Sequence, residues 1–358
     1  MSQTMPKFRS VLDRLPRYQP GRRVIAPDGR SFKLAANESP FGPLPSVAEA
    51  MARAAAAVNR YPDNAAVALR EAIAQRYGVP TEHVAVGCGS VGVTQQLLNA
   101  AAEPGAEVLY AWRSFEAYPG LVALAGAADI RVPLREERHD LTAMAAAITP
   151  RTRVVFLCNP NNPTGTVFDR DELTAFLRQV PGDCLVVLDE AYAEYVRDPA
   201  VPDGMALYAE WPNVAVLRTF SKAYGLAGLR VGYLVASEPV AAAARATMLT
   251  FSVNAVAQAA AIASLAAESE LLERVELVVA ERVRMRDELL TQGWAVPPTE
   301  GNFVWLRLGE DTQDFAGACE REGLSIRPYG DEGARVTVGT KEENDIFLAL
   351  AAAFPRRH

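Results

Sequence analysis

Between residues 80 and 236 short apolar runs alternate with stretches of helical periodicity. His83–Gly87, Glu107–Tyr110 and Ile130–Pro133 have the length and residue types of strands. Val154–Cys158 and Cys184–Leu188 are apolar throughout, the pattern of strands buried on both faces. Val214–Thr219 and Gly232–Val235 continue the series. Strands alternating with helices predict βαβ units, and so an α/β fold with a mostly parallel sheet between helical layers. Before this region, residues 1–45 read as an irregular arm, punctuated by Pro16, Pro20, Pro27, Pro40, Pro43 and Pro45. A helix is expected from Ser46, as N-cap, with Glu49 as its capping-box partner, and a second over Asn64–Tyr77, stopped by Gly78. After Pro239 the texture changes. Val253–Leu290 reads as one long helical region, and Asn302–Leu308 and Arg335–Val338 as short strands of a small α+β domain. The expected organisation is an arm (1–45), a large domain (46–250), and a linking helix with a small C-terminal domain (251–358).

Length and composition narrow the picture. At about 150 residues per domain, 358 residues suit about two domains. The chain is 50% hydrophobic and 22% charged, as soluble globular proteins are, which argues against a disordered or collagen-like chain. With 36 Lys+Arg against 43 Asp+Glu, a net charge of −7 leaves no footprint for nucleic acid or an anionic membrane. No apolar run approaches the ~20 residues of a membrane helix, and the opening MSQTMPKFRS lacks a signal-peptide core, so a cytoplasmic protein is expected. Cys88, Cys158, Cys184 and Cys319 are widely spaced, and histidines number three, so neither a disulfide framework nor a metal site is expected. Lysine is scarce: Lys7, Lys33, Lys222 and Lys341 are the only four.

Four segments carry candidate chemistry. Gly87-Cys88-Gly89-Ser90-Val91-Gly92 fits the G-x-G-x-x-G of dinucleotide sites, yet some 80 residues precede it and no well-placed acidic residue follows. What survives is a glycine turn at a helix start, whose N–H groups suit a phosphate. Cys158–Gly165 is a stiff Asn/Pro loop at the carboxyl end of a buried strand, where open α/β sheets bind ligands. Asp189, directly after Cys184–Leu188, should be largely buried and in want of a cationic partner. Lys222, in Thr219–Arg230, follows another buried strand, and no other lysine lies between positions 34 and 340. An amine held in an apolar pocket loses its proton readily and attacks aldehydes. Ser221 and Arg230 flank it as phosphate donors. Together these are the parts of a pyridoxal phosphate site, with Asp189 on the pyridine nitrogen and Asn162 and Tyr192 on the phenolic oxygen.

On Leu34–Pro43, Arg60–Asp63, Asn161–Gly165, Asp189–Tyr192, Ser221–Arg230 and Arg335–Gly339, the chain resembles a fold-type I pyridoxal-phosphate aminotransferase of the class I/II group. The resemblance covers nearly the whole chain. It implies a large cofactor-binding domain and a smaller one, with the arm packed on the small domain and the substrate site. It implies that Lys222 bonds to the cofactor and then moves a proton between the substrate Cα and the cofactor. By the same resemblance Ser90, the Val91 backbone, Ser221 and Arg230 hold the phosphate, and Phe115 stacks on the ring. Tyr61 reaches the phosphate from a second subunit, implying a homodimer with shared sites. Arg335 clamps the substrate α-carboxylate, a task suited to a guanidinium, and Tyr18 and Asn37 line the substrate pocket. The stretches Gly89–Gln96 and Tyr110–Tyr118 resemble the actinobacterial aromatic amino acid (phenylalanine) aminotransferases, a sister group of the histidinol-phosphate enzymes. The implied reaction moves the amino group of phenylalanine, tyrosine or tryptophan to 2-oxoglutarate. The alternative is histidinol-phosphate transamination, for whose phosphate Arg327 and Arg335 are both available.

Overall fold

The structure, a computed structural model, describes residues 6–13, 15 and 24–355. Seven strands form one sheet in the order Val84–Cys88, Val231–Ala236, Val214–Thr219, Leu185–Asp189, Thr152–Cys158, Glu107–Trp112 and Ala128–Pro133. Val231–Ala236 runs antiparallel to both neighbours, and the remaining pairs are parallel. The apolar runs are buried on both faces because successive side chains point to opposite sides. In Thr152–Cys158, Val155 and Leu157 join one core while Val154 and Phe156 join the other. Cys158 lies opposite Asp189, and Asp189 opposite Leu217. Three adjacent strands therefore end together, and the loops after Cys158, Asp189 and Thr219 leave the sheet side by side.

Three helix boundaries differ from the sequence expectation. The first helix is Pro45–Ala55, and its N-cap is Leu44 without a side-chain cap. Proline, with no N–H to satisfy and φ already helical, opens the helix a residue early, so Ser46 is not the cap and Glu49 pairs with Arg53. The second helix is Val67–Tyr77, not Asn64–Tyr77, because the Asp63 carboxylate takes the N–H groups of Ala65 and Val67 in a turn ahead of it. The expected long helix over 253–290 is two helices, Ala255–Ala266 and Glu268–Thr291, meeting at 84° around Ala267. The first, with Ala257, Ala260 and Ala261 buried, packs closely on Pro45–Ala55, and the second turns away beneath the small domain.

That domain holds an antiparallel sheet in the order Arg327–Tyr329, Gly333–Thr337, Phe303–Arg307. The arm is sewn to it. Phe32–Lys33 pairs with Leu324–Ser325, and the Leu34 carbonyl accepts from Thr337 N at 2.8 Å. This tether carries Ala35–Glu38 between the two bodies. Among the described residues no single helix is long and apolar enough to cross a membrane, and no cluster of His, Cys, Asp or Glu could hold a metal ion.

Candidate active site

Lys222 lies in the loop that follows Val214–Thr219. The loop is tied down locally: Ser221 N donates to Thr219 Oγ1 at 3.1 Å, and Leu226 N to the Phe220 carbonyl at 3.0 Å. Lys222 Nζ donates to the Ala36 carbonyl of the arm at 2.9 Å. Burial, helped by the charges of Arg335 and Arg230, pulls its pKa down to about 7. Asp189 closes the neighbouring strand. Its Oδ2 accepts from Tyr118 Oη at 2.6 Å, while Oδ1 is buried with no hydrogen-bond partner. Burial pushes this carboxyl up to about 6. A buried carboxylate oxygen without a donor is costly, so this one is suited to an N–H group that a ligand brings.

The glycine turn is the third wall. Gly89, at φ +72°, begins the helix Gly89–Ala101, so Ser90 and Val91 stand in its first turn, where N–H groups have no partner within the helix. The positive φ favours glycine at 89, where a Cβ would also push on the Arg230 guanidinium, and a Cβ on Gly232 would strike the Ser90 backbone N. Arg230 Nη1 donates to Ser221 Oγ at 3.4 Å. Ser90, Val91, Ser221 and Arg230 thus converge on one cradle that can hold a phosphate. The dinucleotide reading of Gly87–Gly92 fails here. Its strand is at the sheet edge and pairs only with an antiparallel neighbour, whereas that motif needs a parallel βαβ unit.

Arg335 and the Asn/Tyr pair form the fourth wall. Arg335 is buried; its guanidinium donates to Asn162 Oδ1 and to the Ala35 carbonyl, and its Nε has no partner. Asn37 Nδ2 donates to Tyr192 Oη at 2.8 Å, and Thr337 Oγ1 anchors the Asn37 backbone N–H at 2.9 Å. Tyr192 therefore keeps its own hydroxyl hydrogen to give elsewhere. Burial also holds that phenol well above its ordinary pKa.

Phe115 lies one ring away from Asp189, Tyr61 stands at the surface, and one expected residue cannot be placed. Phe115 sets its ring edge-on to Tyr118, centroids 5.5 Å apart. Tyr61 is 81% exposed and stacks on Phe251 at 4.5 Å. Tyr18 lies outside the described residues. Sequence reasoning missed Tyr118, which is buried and stacks on Phe156 at 4.8 Å as it holds Asp189. It flagged the loop Cys158–Gly165 but gave no role to Asn161, whose side chain ties Ser114, Thr164 and the Arg113 carbonyl together. The one available signal was Tyr118's place a helical turn beyond Phe115.

The profile of aminotransferase class I and II matches residues 30–350. The chain belongs to that family. Among its relatives, an aromatic amino acid aminotransferase of Thermobifida fusca is 64% identical over 100% of both chains. One of Streptomyces coelicolor is 58% identical over 99% of each. The solved histidinol-phosphate aminotransferase of Sinorhizobium meliloti, in complex with pyridoxal-5'-phosphate, superposes with a TM-score of 0.88, covering 98% of each chain at 31% identity. Like these class I and II aminotransferases, the chain is an enzyme of amino-group transfer on an α/β fold with a mostly parallel central sheet.

For this aminotransferase two results follow from the titratable pair. In the apoprotein the unfolded chain has Lys222 near its ordinary ~10.4, the folded one near 7. Between those values the unfolded state binds the extra proton, so Lys222 makes unfolding free energy rise with pH from about 7 to about 10. Asp189 acts oppositely: with its folded value near 6 against ~3.9 unfolded, stability falls as pH rises through that lower window. Urea unfolding of apoprotein and Lys222→Met should show the variant's advantage shrinking from pH 7 to 9.5, and a constant gap would contradict a lowered pKa. Tyr118→Phe should raise the Asp189 pKa in a carboxyl-carbon NMR titration of the apoprotein and weaken cofactor binding on the order of tenfold, since the lost bond serves a charged group. An unmoved Asp189 would remove Tyr118 from the site.

Proposed function

We propose that the protein is an aromatic amino acid aminotransferase that passes the amino group of phenylalanine, tyrosine or tryptophan to 2-oxoglutarate, using pyridoxal 5'-phosphate. The observation that carries it is the meeting of a low-pKa amine, Lys222, with the buried Asp189 whose Oδ1 lacks a donor, beside a phosphate cradle. Relatives named for aromatic amino acids, 51–64% identical, support the substrate class over histidinol phosphate.

The residues fit the cofactor. Asp189 would hold the pyridine nitrogen through Oδ1, Tyr192 and Asn162 the phenolic oxygen, and Ser90, the Val91 backbone, Ser221 and Arg230 the phosphate. Phe115 would cover the ring. Pyridoxal phosphate supplies an aldehyde for amines and a ring that takes up the electron pair left at Cα. Arg335 would bind the α-carboxylate and Asn37 would line the pocket, holding the substrate for removal of its Cα proton. With its pKa near 7, Lys222 can accept that proton and return it at the cofactor-side carbon. An ionised Asp189 would keep the ring nitrogen protonated, and Tyr118 would help to keep it ionised.

Tyr61 would reach the phosphate of a second subunit, giving a cytoplasmic homodimer with shared sites. Its exposed ring, stacked on the exposed Phe251, supports this as a self-association face. Sedimentation that returned only monomer would remove the shared-site part. The main test mixes the cofactor-loaded protein with phenylalanine, and separately with histidinol phosphate, and follows cofactor absorbance over one turnover. A fast change with phenylalanine alone is expected. A fast change with histidinol phosphate alone would install the alternative.

A further inference from the structure

Three guanidinium groups surround the ring of Tyr329: Arg113, Arg327 and Arg335 lie 5.5, 5.9 and 5.9 Å from its centre. Two of them carry their own carboxylate. Arg113 pairs with Glu332, and Arg327 meets Glu116 fork to fork, Nε–Oε2 at 3.1 Å and Nη2–Oε1 at 2.9 Å. Among the described residues Arg335 has only neutral acceptors, Asn162 and the Ala35 carbonyl. Arg327 and Arg335 face each other across the antiparallel pair, so their side chains leave the same face of the small sheet with Cβ atoms about 5 Å apart. Glu116 comes from the large domain, directly after Phe115, at the N-cap position of the helix Ala117–Ala125, where its side chain makes no capping bond. The pair is partly withdrawn from water, at 14% side-chain exposure for Arg327 and 28% for Glu116.

We propose that Glu116 is a specificity-determining residue. It occupies Arg327, so a substrate with a second negative charge must displace Glu116 to use that guanidinium, whereas a neutral aromatic side chain leaves the pair intact. The inference rests on the reading that Arg335 takes the α-carboxylate. Charge-assisted, two-pronged pairs are among the stronger polar contacts, and a carboxylate left facing an incoming anion repels it. Glu116 thereby sets how well the site tolerates a dicarboxylate or a phosphate ester. A two-carboxylate acceptor such as 2-oxoglutarate enters against this resistance, while a phenylalanine side chain does not meet it.

The test uses cofactor-loaded protein and two unreactive acids, glutarate with two carboxylates and 3-phenylpropanoate with one. Their affinities are measured in wild type, Glu116→Gln and the double variant Glu116→Gln/Arg327→Gln. In Glu116→Gln the affinity for glutarate relative to 3-phenylpropanoate should rise on the order of tenfold, and the rise should vanish in the double variant. An unchanged ratio, or a rise that persists without Arg327, would overturn the proposal. The underlying reading is judged separately by Arg335→Gln. If that change leaves 3-phenylpropanoate affinity intact, Arg335 is not the carboxylate clamp, and the ratio between the two acids still reports on Glu116.

Discussion

Lys222→Ala should bind pyridoxal phosphate without a covalent link and lose transamination by roughly 10²–10⁴-fold from the missing proton transfer alone. The expected loss is large because no other amine can substitute. Lys33 pairs with Glu38 and Lys341 with Asp345, both at exposed positions, and Lys7 is exposed too. The phosphate cradle, Asp189 and Arg335 remain in the variant, so cofactor and substrate should still bind. Borohydride reduction followed by mass measurement separates the two properties: wild type should gain the cofactor's mass and the variant should not. Turnover near the wild-type rate would sink the assignment of Lys222.

Asp189→Ala should lower turnover by about 10²–10³-fold, the usual scale for removing a preorganised charge aimed at the reacting group. Two losses combine. The ring nitrogen would lose the anion proposed to keep it protonated, and Tyr118 Oη loses its acceptor inside the core. Asp189→Asn separates them, since it preserves the shape and an acceptor for Tyr118 while removing the charge. If charge is what matters, both variants should lose rate alike, with the covalent link to Lys222 still formed. Asn at the wild-type rate would reduce Asp189 to a packing residue.

Much of this site is legible in the amino-acid sequence. A strand buried on both faces has to be apolar throughout, so Val154–Cys158 and Cys184–Leu188 announce the sheet centre, and with it the edge where Asn162, Asp189 and Lys222 emerge. Lys222 stands out through the chain's preference for arginine. The Glu116–Arg327, Tyr118–Asp189 and Asn37–Tyr192 pairs are not legible there, because their partners lie 211, 71 and 155 residues apart. Nothing local distinguishes such a glutamate or tyrosine from one facing water. The bend at Ala267 is hidden for another reason. Alanine is the best helix former, so propensity runs unbroken through 255–291, and packing against Pro45–Ala55 decides where the chain turns.

The sequence by itself determined the element types, a mostly parallel sheet and the residues that can do chemistry, since each follows from local periodicity or from a residue type rare in this chain. Tertiary structure decided which oxygen of Asp189 stays open, which arginine keeps a carboxylate and how far the Lys222 pKa falls. Those properties depend on burial and on charges brought together by folding, and neither has a local signature along the chain.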